Sequence, residues 1–373
     1  MKKILITCTE LMMIQFLVPH VKNLAENGFH VEIACSNVGG RMDEVRNALD
    51  GVAKAIHTLR LERSPVSPRN FLGYEDLRQL LKENHYDIIW TNEPVMGVVT
   101  RLAANKYRKQ GTKVVYMCHG FHFFNGAGKL NWLVFYPIEK CMSRLCDMIV
   151  TINHEDEEQA KTFWAPQVKY IHGIGINTDR LHQYSEQTEI RAELGLEADD
   201  FLVLSVGELN ENKNQQVIIR ALSQIGDHKV HYLLCGKGEL RATLENLAKE
   251  LGVENNVHFL GYRKDVVDIC NQADIFVLPS FREGISVASL EAMYCGMPLI
   301  TSRVRGSEDY LLDGVSGFLC DARDVNGFAE AIIILKSDRR FRECCGEANR
   351  QTVRPYCIDH VKEEILNLFS NVL

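Results

Sequence analysis

No Cys-x-x-Cys pair occurs among the 12 cysteines of this 373-residue chain, which argues against metal knuckles of that spacing. Nor does any stretch approach the ~20 uninterrupted apolar residues that a membrane span needs. Proline is scarce, at 9 residues, and a chain that is 46% hydrophobic and 24% charged is not disordered, collagenous or of low complexity. The opening Met1, Lys2, Lys3 runs into a short apolar strand with no small-residue cleavage site, so export is not expected and the cytoplasm is. Glycine is missing from the loop after that strand, CTELMMIQF (8–16), where a dinucleotide-binding domain carries G-x-G-x-x-G. An NAD-dependent oxidoreductase therefore ranks last. A net charge of −7 disfavours nucleic acid as a partner.

What is present is a rhythm. Short apolar strands alternate with amphipathic segments: KILITC (3–8), the helix-like LMMIQFLVPHVKNLAEN ended by Gly28, HVEIAC (30–35), DIIWTN (87–92), KVVYMC (113–118) and DMIVTIN (147–153). After HGIGINTDRL (172–181) and a polar stretch through Asp200, it restarts with FLVLSVG (201–207), HYLLCG (231–236), VHFLG (257–261), DIFVLP (274–279) and PLITS (298–302). Continuous apolar strands separated by helices indicate parallel sheets covered on both faces. The expectation is an α/β chain of two Rossmann-like doubly wound domains facing a cleft, residues 1–175 and 176–355. A final helix, 356–373, carries Ile358, Val361, Ile365, Leu368 and Val372 on one face and is expected to return to the first domain. Cys8, Cys118 and Cys235 close apolar runs, where a thiol behaves as a small hydrophobe.

The segment PSFREGISVASLEAMYCGMP (279–298) carries the most chemistry. Glu283 and Glu291 are eight residues apart, and eight helical residues rise about 12 Å. A helix starting near Gly284 would set an anion site between them, because its first amides are free and its dipole is positive there. Two carboxylates for hydroxyls with a phosphate seat between them describe a nucleotide sugar. The plainer alternative is a solvated acidic pair on a surface helix.

This segment, together with VGELNENKN (206–214), CGKGEL (235–240), FLGYRKDV (259–266) and GSEDYLLDGVSGFLC (306–320), resembles the family 4 retaining glycosyltransferases of the GT-B fold, in particular those of bacterial capsule and exopolysaccharide synthesis. The resemblance covers nearly the whole chain. It implies that Glu283 contacts donor-sugar hydroxyls, Glu291 the ribose hydroxyls, and the amides of Gly284, Ile285 and Ser286 the distal phosphate. Lys213 matches the family's diphosphate lysine, a cation for charge that grows as the nucleotide leaves. Gly207, Gly236 and Gly238 would lie beside the nucleotide, with Tyr262 and Arg263 near its base; by itself a Gly-x-Gly is as often an ordinary turn. One position departs from the family: Glu208 stands where many members have a phosphate-clamping Arg. Arg282, Arg263 and Arg305 are the candidates for the missing charge. No Asp-x-Asp occurs anywhere, which agrees with the metal-independent transfer that the resemblance implies, without any cofactor beyond the nucleotide-sugar substrate.

In the first half, VVYMCHGFHFF (114–124) ends a strand at His119, which the resemblance sets near the donor sugar as a catalytic, orienting group. For His122 a structural role is expected. Between 99 and 146 there are eight Lys or Arg against the single acid Glu139. This basic island includes KLNWLVFYPIEKCMSR (129–144), whose aromatics and bases suit an anionic membrane surface; a buried helix kinked at Pro137 is the equal alternative. The expected activity is transfer of a hexose or N-acetylhexosamine from a UDP-sugar to a lipid-linked saccharide acceptor, the enzyme peripheral at the inner face of the cell membrane. A nucleotide-sugar epimerase, a sugar phosphorylase of the same architecture or a non-catalytic two-domain sugar-binding protein are the alternatives.

Overall fold

The computed structural model describes residues 1–37, 42–181 and 189–372. Part of the polar stretch between the two halves, 182–188, lies outside the described residues. The chain divides into two units, residues 1–175 with 358–373, and residues 176–357.

The first unit is built on β1 (Lys3–Glu10), β2 (His30–Ser36), β3 (Ala55–Thr58), β4 (Ile88–Asn92), β5 (Lys113–Cys118), β6 (Met148–Thr151) and β7 (Gln167–Tyr170). All pairings are parallel, in the order β3-β2-β1-β4-β5-β6-β7. The second contains β8 (Phe201–Val206), β9 (Val230–Cys235), β10 (Val257–Gly261), β11 (Ile275–Leu278), β12 (Leu299–Ser302) and β13 (Gly317–Cys320), in the order β10-β9-β8-β11-β12-β13. Each sheet is doubly wound. The direction of winding reverses between β1 and β4 in one and between β8 and β11 in the other, the place where such sheets hold ligands.

The apolar runs are continuous because both faces of each sheet are covered. In β8, Phe201 and Val203 enter one core, while Leu202 and Leu204 enter the other; β9 divides Tyr232 and Leu234 from Leu233 and Cys235 in the same way.

Two helical readings need correction. The segment after β1 is not one helix: Leu11–Ile14 stops, and Val18–Glu26 starts afresh with Pro19 in its first turn, where the missing N–H costs nothing. The C-terminal helix, Ile358–Val372, buries Phe369 where the sequence suggested Leu368. Phe369 lies 5.2 Å from the Trp90 ring in β4, fixing this helix on the first unit, and the second unit runs to Cys357 instead of residue 355.

Candidate active site

In the second unit the loop leaving β8 is shaped by its neighbours. Asn210 accepts from the Lys213 amide through its side chain, and Asn214, in the left-handed region at φ 53°, donates to the carbonyls of Pro279 and Ala322. Those two bonds tie the loop to the chain that follows β11 and β13. The Lys213 ammonium consequently meets the Glu283 carboxylate, with Nζ 2.7 Å from Oε1. Both groups are largely covered, at 22% and 11% exposure. Gly207 faces the lysine stem: a Cβ there would lie 3.4 Å from Lys213 Cε.

Glu283 is not helical. The helix that follows is Val287–Tyr294, capped by the Ser286 hydroxyl, which accepts from the Ser289 amide. The helical rise predicted between Glu283 and Glu291 thus applies only from residue 287 onward. With Ser289 and Leu290 bonded to Ser286, the amides of Val287 and Ala288 at the helix start join those of Gly284, Ile285 and Ser286 as candidate donors to an anion. Gly284 is instead held from behind, because Gly306 packs so closely that a Cβ on it would fall 1.8 Å from the Gly284 carbonyl oxygen. Ile285 packs against the apolar core. Glu291 pairs with Arg180 rather than with the lysine, and burial raises its pKa while the guanidinium opposes that rise.

Beside this pair lies a cavity of about 360 Å³ lined by Gly207, Glu208, Gly236, Lys237, Tyr262 and Arg263. Gly236 and Gly238 have a structural cause that the sequence reading missed. A Cβ on Gly236 would lie 1.7 Å from the Gly207 carbonyl oxygen, and one on Gly238 would lie 2.2 Å from that of Leu209. They are glycine because two loops touch backbone to backbone. Arg263 is neutralised by Glu193 and Asp265, at 2.7 and 2.6 Å, which raise its pKa. Arg305 is buried and donates to the Glu283 carbonyl. Of the three arginines considered as sources of the charge that Glu208 cannot supply, only Arg282 is exposed and without a carboxylate partner among the described residues.

In the first unit His119 directly follows β5 and lies 3.0 Å from Asn92 Oδ1 at the end of β4. Burial lowers its pKa to about 4, so the ring is neutral at neutral pH. Next to Asn92, Glu93 takes a non-glycine left-handed φ of 65° and accepts the Thr9 amide at 2.7 Å, with its pKa raised by burial. Held there despite the strain, it ties the end of β1 to the end of β4. The sequence reading passed over Glu93 and Asn92; the one available signal was an acid wedged between an apolar strand and Pro94.

The helix Lys129–Met142 contains Pro137 and buries only Glu139, so it is not the buried helix that one reading expected. Trp132 and Tyr136, partly buried, pack against the buried rings of Phe123 and Phe163, while Leu130 and Leu133 are 69% and 75% exposed. His122 packs on Phe135 at 4.8 Å, and both line an apolar cavity of about 250 Å³ with Val95, Val98 and Ile138. The basic island is smaller than its charge count: Arg101 is buried against Glu139 at 2.8 Å, and Arg108 pairs with Asp147 at 2.9 Å.

The chain is 34% identical over 361 residues to EpsD of Bacillus subtilis, named as a glycosyltransferase, covering 95% of this chain and 92% of that protein. It belongs to glycosyltransferase family 4. The family description "Glycosyltransferase Family 4" matches residues 17–180, and "Glycosyl transferases group 1" matches 186–352. A second relative is the Escherichia coli UDP-Gal:alpha-D-GlcNAc-diphosphoundecaprenol alpha-1,3-galactosyltransferase, 25% identical over 94% of this chain and 91% of that one. Among solved structures, HepE from Anabaena in complex with UDP and glucose superposes with a TM-score of 0.81 at 19% identity over the whole of both chains, so the fold is GT-B. In this glycosyltransferase Lys213, Glu283 and Gly207 come together, and Gly207, Gly236, Tyr262 and Arg263 share one cavity. His119 belongs to the other unit. No helix among the described residues is long and apolar enough to cross a membrane.

Proposed function

We propose that this family 4 glycosyltransferase transfers a hexosyl or N-acetylhexosaminyl group from a UDP-sugar to a lipid-linked saccharide acceptor in polysaccharide synthesis, with retention at the anomeric carbon. The observation that carries the reading is the Lys213–Glu283 pair, 2.7 Å apart at the reversal point of the second sheet. Each charge holds the other in position before a donor arrives. The donor diphosphate takes the ammonium, sugar hydroxyls take the carboxylate, and Glu291 takes the ribose.

As the bond from the anomeric carbon to the phosphate oxygen breaks, negative charge grows on the departing nucleoside diphosphate. In this reading Lys213 meets that charge, with the amides at the start of the following helix and the exposed Arg282 as further donors, which would stabilise the transition state more than the ground state. The neutral ring of His119, steadied by Asn92, is suited to a hydrogen bond with a sugar hydroxyl rather than to holding a charge. These residues supply the electrostatic role without a metal. Support for the uridine donor and the lipid-linked acceptor comes from the relative whose name includes UDP-Gal and a diphosphoundecaprenol acceptor. The exposed apolar stripe of Lys129–Met142 and the cavity behind it suit such an acceptor and peripheral contact with an anionic membrane.

The test is product analysis with UDP-sugars and a lipid-linked acceptor. Glu283→Gln is expected to lower turnover at least tenfold with the fold intact, by analogy with the loss of one preorganised polar group. Turnover is expected to survive EDTA; abolition by EDTA with rescue by manganese would overturn the metal-free reading.

A further inference from the structure

The first unit carries a cluster that the transfer reaction does not use. His172 follows β7, three residues before the chain passes into the second unit, and His360 and Glu364 lie on the helix Ile358–Val372, just after the chain returns. His360 and Glu364 are four residues apart, which puts both side chains on one helix face. His172 Nδ1 is 2.8 Å from Glu364 Oε1, and His360 Nε2 is 3.7 Å from the same oxygen. The His172 backbone amide also donates to Glu364 Oε2 at 3.1 Å, so the carboxylate is already fixed in direction. The two imidazole rings face edge to face at 5.6 Å, and Tyr170 supports His172 from behind at 5.1 Å.

We propose that His172, His360 and Glu364 form a binding site for a divalent transition metal, of which zinc is the best match. Each residue offers one ligand atom, and the three atoms lie within 4.8 Å of one another. Tetrahedral zinc, with bonds of about 2.0–2.2 Å to nitrogen and oxygen, sets its ligands about 3.3 Å apart. The shift required is of the order of 1 Å, within the rotamer freedom of half-exposed side chains. Two imidazoles and one carboxylate select zinc over calcium or magnesium, which take oxygen ligands. Water completes the fourth position. In the metal-free state His172 and Glu364 are hydrogen-bonded to each other; the cation takes the place of that bond and draws in His360.

The effect of the ion follows from where the ligands lie in the chain. The segments that leave and re-enter the first unit already run side by side: a Cβ on Gly175 would fall 2.8 Å from Ile358 Cα, and His20 Nε2 contacts the Ile174 carbonyl at 2.8 Å. A metal joining residue 172 to 360 and 364 closes a loop that contains the whole second unit and pins the C-terminal helix to the first. It is a structural clamp, independent of the donor chemistry.

Zinc chloride is the probe, in a Cys141→Ser, Cys344→Ser background that removes the exposed thiols. Calorimetry is expected to give one zinc per chain, with a rise of several degrees in the melting midpoint. His360→Ala, at an exposed position, should weaken binding at least about 100-fold, more than the loss of an outer-sphere partner does. His172→Ala should do the same, whereas Asp359→Ala on the same helix should leave binding unchanged. UDP binding should be the same with and without zinc. Failure to bind zinc at micromolar concentration, or binding that both histidine variants retain, would overturn the proposal.

Discussion

Replacing Lys213 by alanine removes the cation proposed to meet the leaving diphosphate and strands a carboxylate. At 2.7 Å and an effective dielectric of ~20, the gross Coulomb attraction of the Lys213–Glu283 pair is about 6 kcal/mol. Loss of solvation offsets most of this, because the two groups keep only 22% and 11% of their exposure. The net contribution expected for a hydrogen bond between charged groups is about 1.5–3 kcal/mol. Lys213→Ala and Glu283→Gln should each lower stability by roughly that amount. The double variant should lose less than the sum, with a coupling of about 1 kcal/mol or more, since the second change removes a partner already orphaned by the first. Catalysis should respond differently. Lys213→Ala should lower kcat about 10²- to 10³-fold, the loss seen when one preorganised charge-stabilising group is taken away. Urea unfolding measures the first effect and nucleotide release from the donor the second. Additive stability losses together with turnover within about threefold of the unaltered enzyme would refute the reasoning.

Gly236→Ala should destabilise the second unit by about 1–3 kcal/mol, because its Cβ would fall 1.7 Å from the Gly207 carbonyl and the loops must part; an unchanged urea midpoint would contradict this. Burial lowers the pKa of His20, His119 and His258 to about 4, whereas unfolded histidine titrates near 6.5. The unfolded chain therefore binds these protons first, and stability should fall as pH drops from about 6.5 to 4. Glu32, held at about 2 by Lys3, Tyr86, His57 and His30 against its burial, adds a loss only below about 4.5. His119→Asn should flatten the first slope; an unaltered slope would exclude His119 as a contributor. Vesicles with anionic lipid should float the enzyme in low salt and less of it in high salt, and Leu133→Glu should abolish flotation; salt-insensitive failure to float would remove the membrane contact.

The sequence shows long buried strands better than short edge ones. All ten strands read from apolar runs are present, but Ala55–Thr58 and Gln167–Tyr170 are half-covered sheet edges of four residues, whose mixed sequences AIHT and QVKY carry no continuous apolar signal. Gly317–Cys320 was hidden behind a turn. At the site, the meeting of Lys213 with Glu283 agrees with the motifs because both residues leave strands beside the sheet's reversal point. The start of the following helix did not agree, since Ser286 caps it more effectively than Gly284 can. Glu93 escaped notice because its left-handed backbone conformation depends on contact with Thr9, more than 80 residues away. The cluster of His172, His360 and Glu364 was invisible for the same reason, since its ligands are 188 and 192 residues apart.

The central claim is that the second unit binds a uridine nucleotide through Glu291 and its neighbours. A thermal-shift panel of UDP, GDP, ADP, their sugar conjugates and NAD tests it without any acceptor. At ~100 times its dissociation constant a ligand adds about 2.7 kcal/mol, enough to move the midpoint by several degrees. The account predicts a shift with UDP and UDP-sugars that disappears in Glu291→Ala. A shift with NAD alone, no shift with any nucleotide, or a UDP shift that survives Glu291→Ala would contradict it.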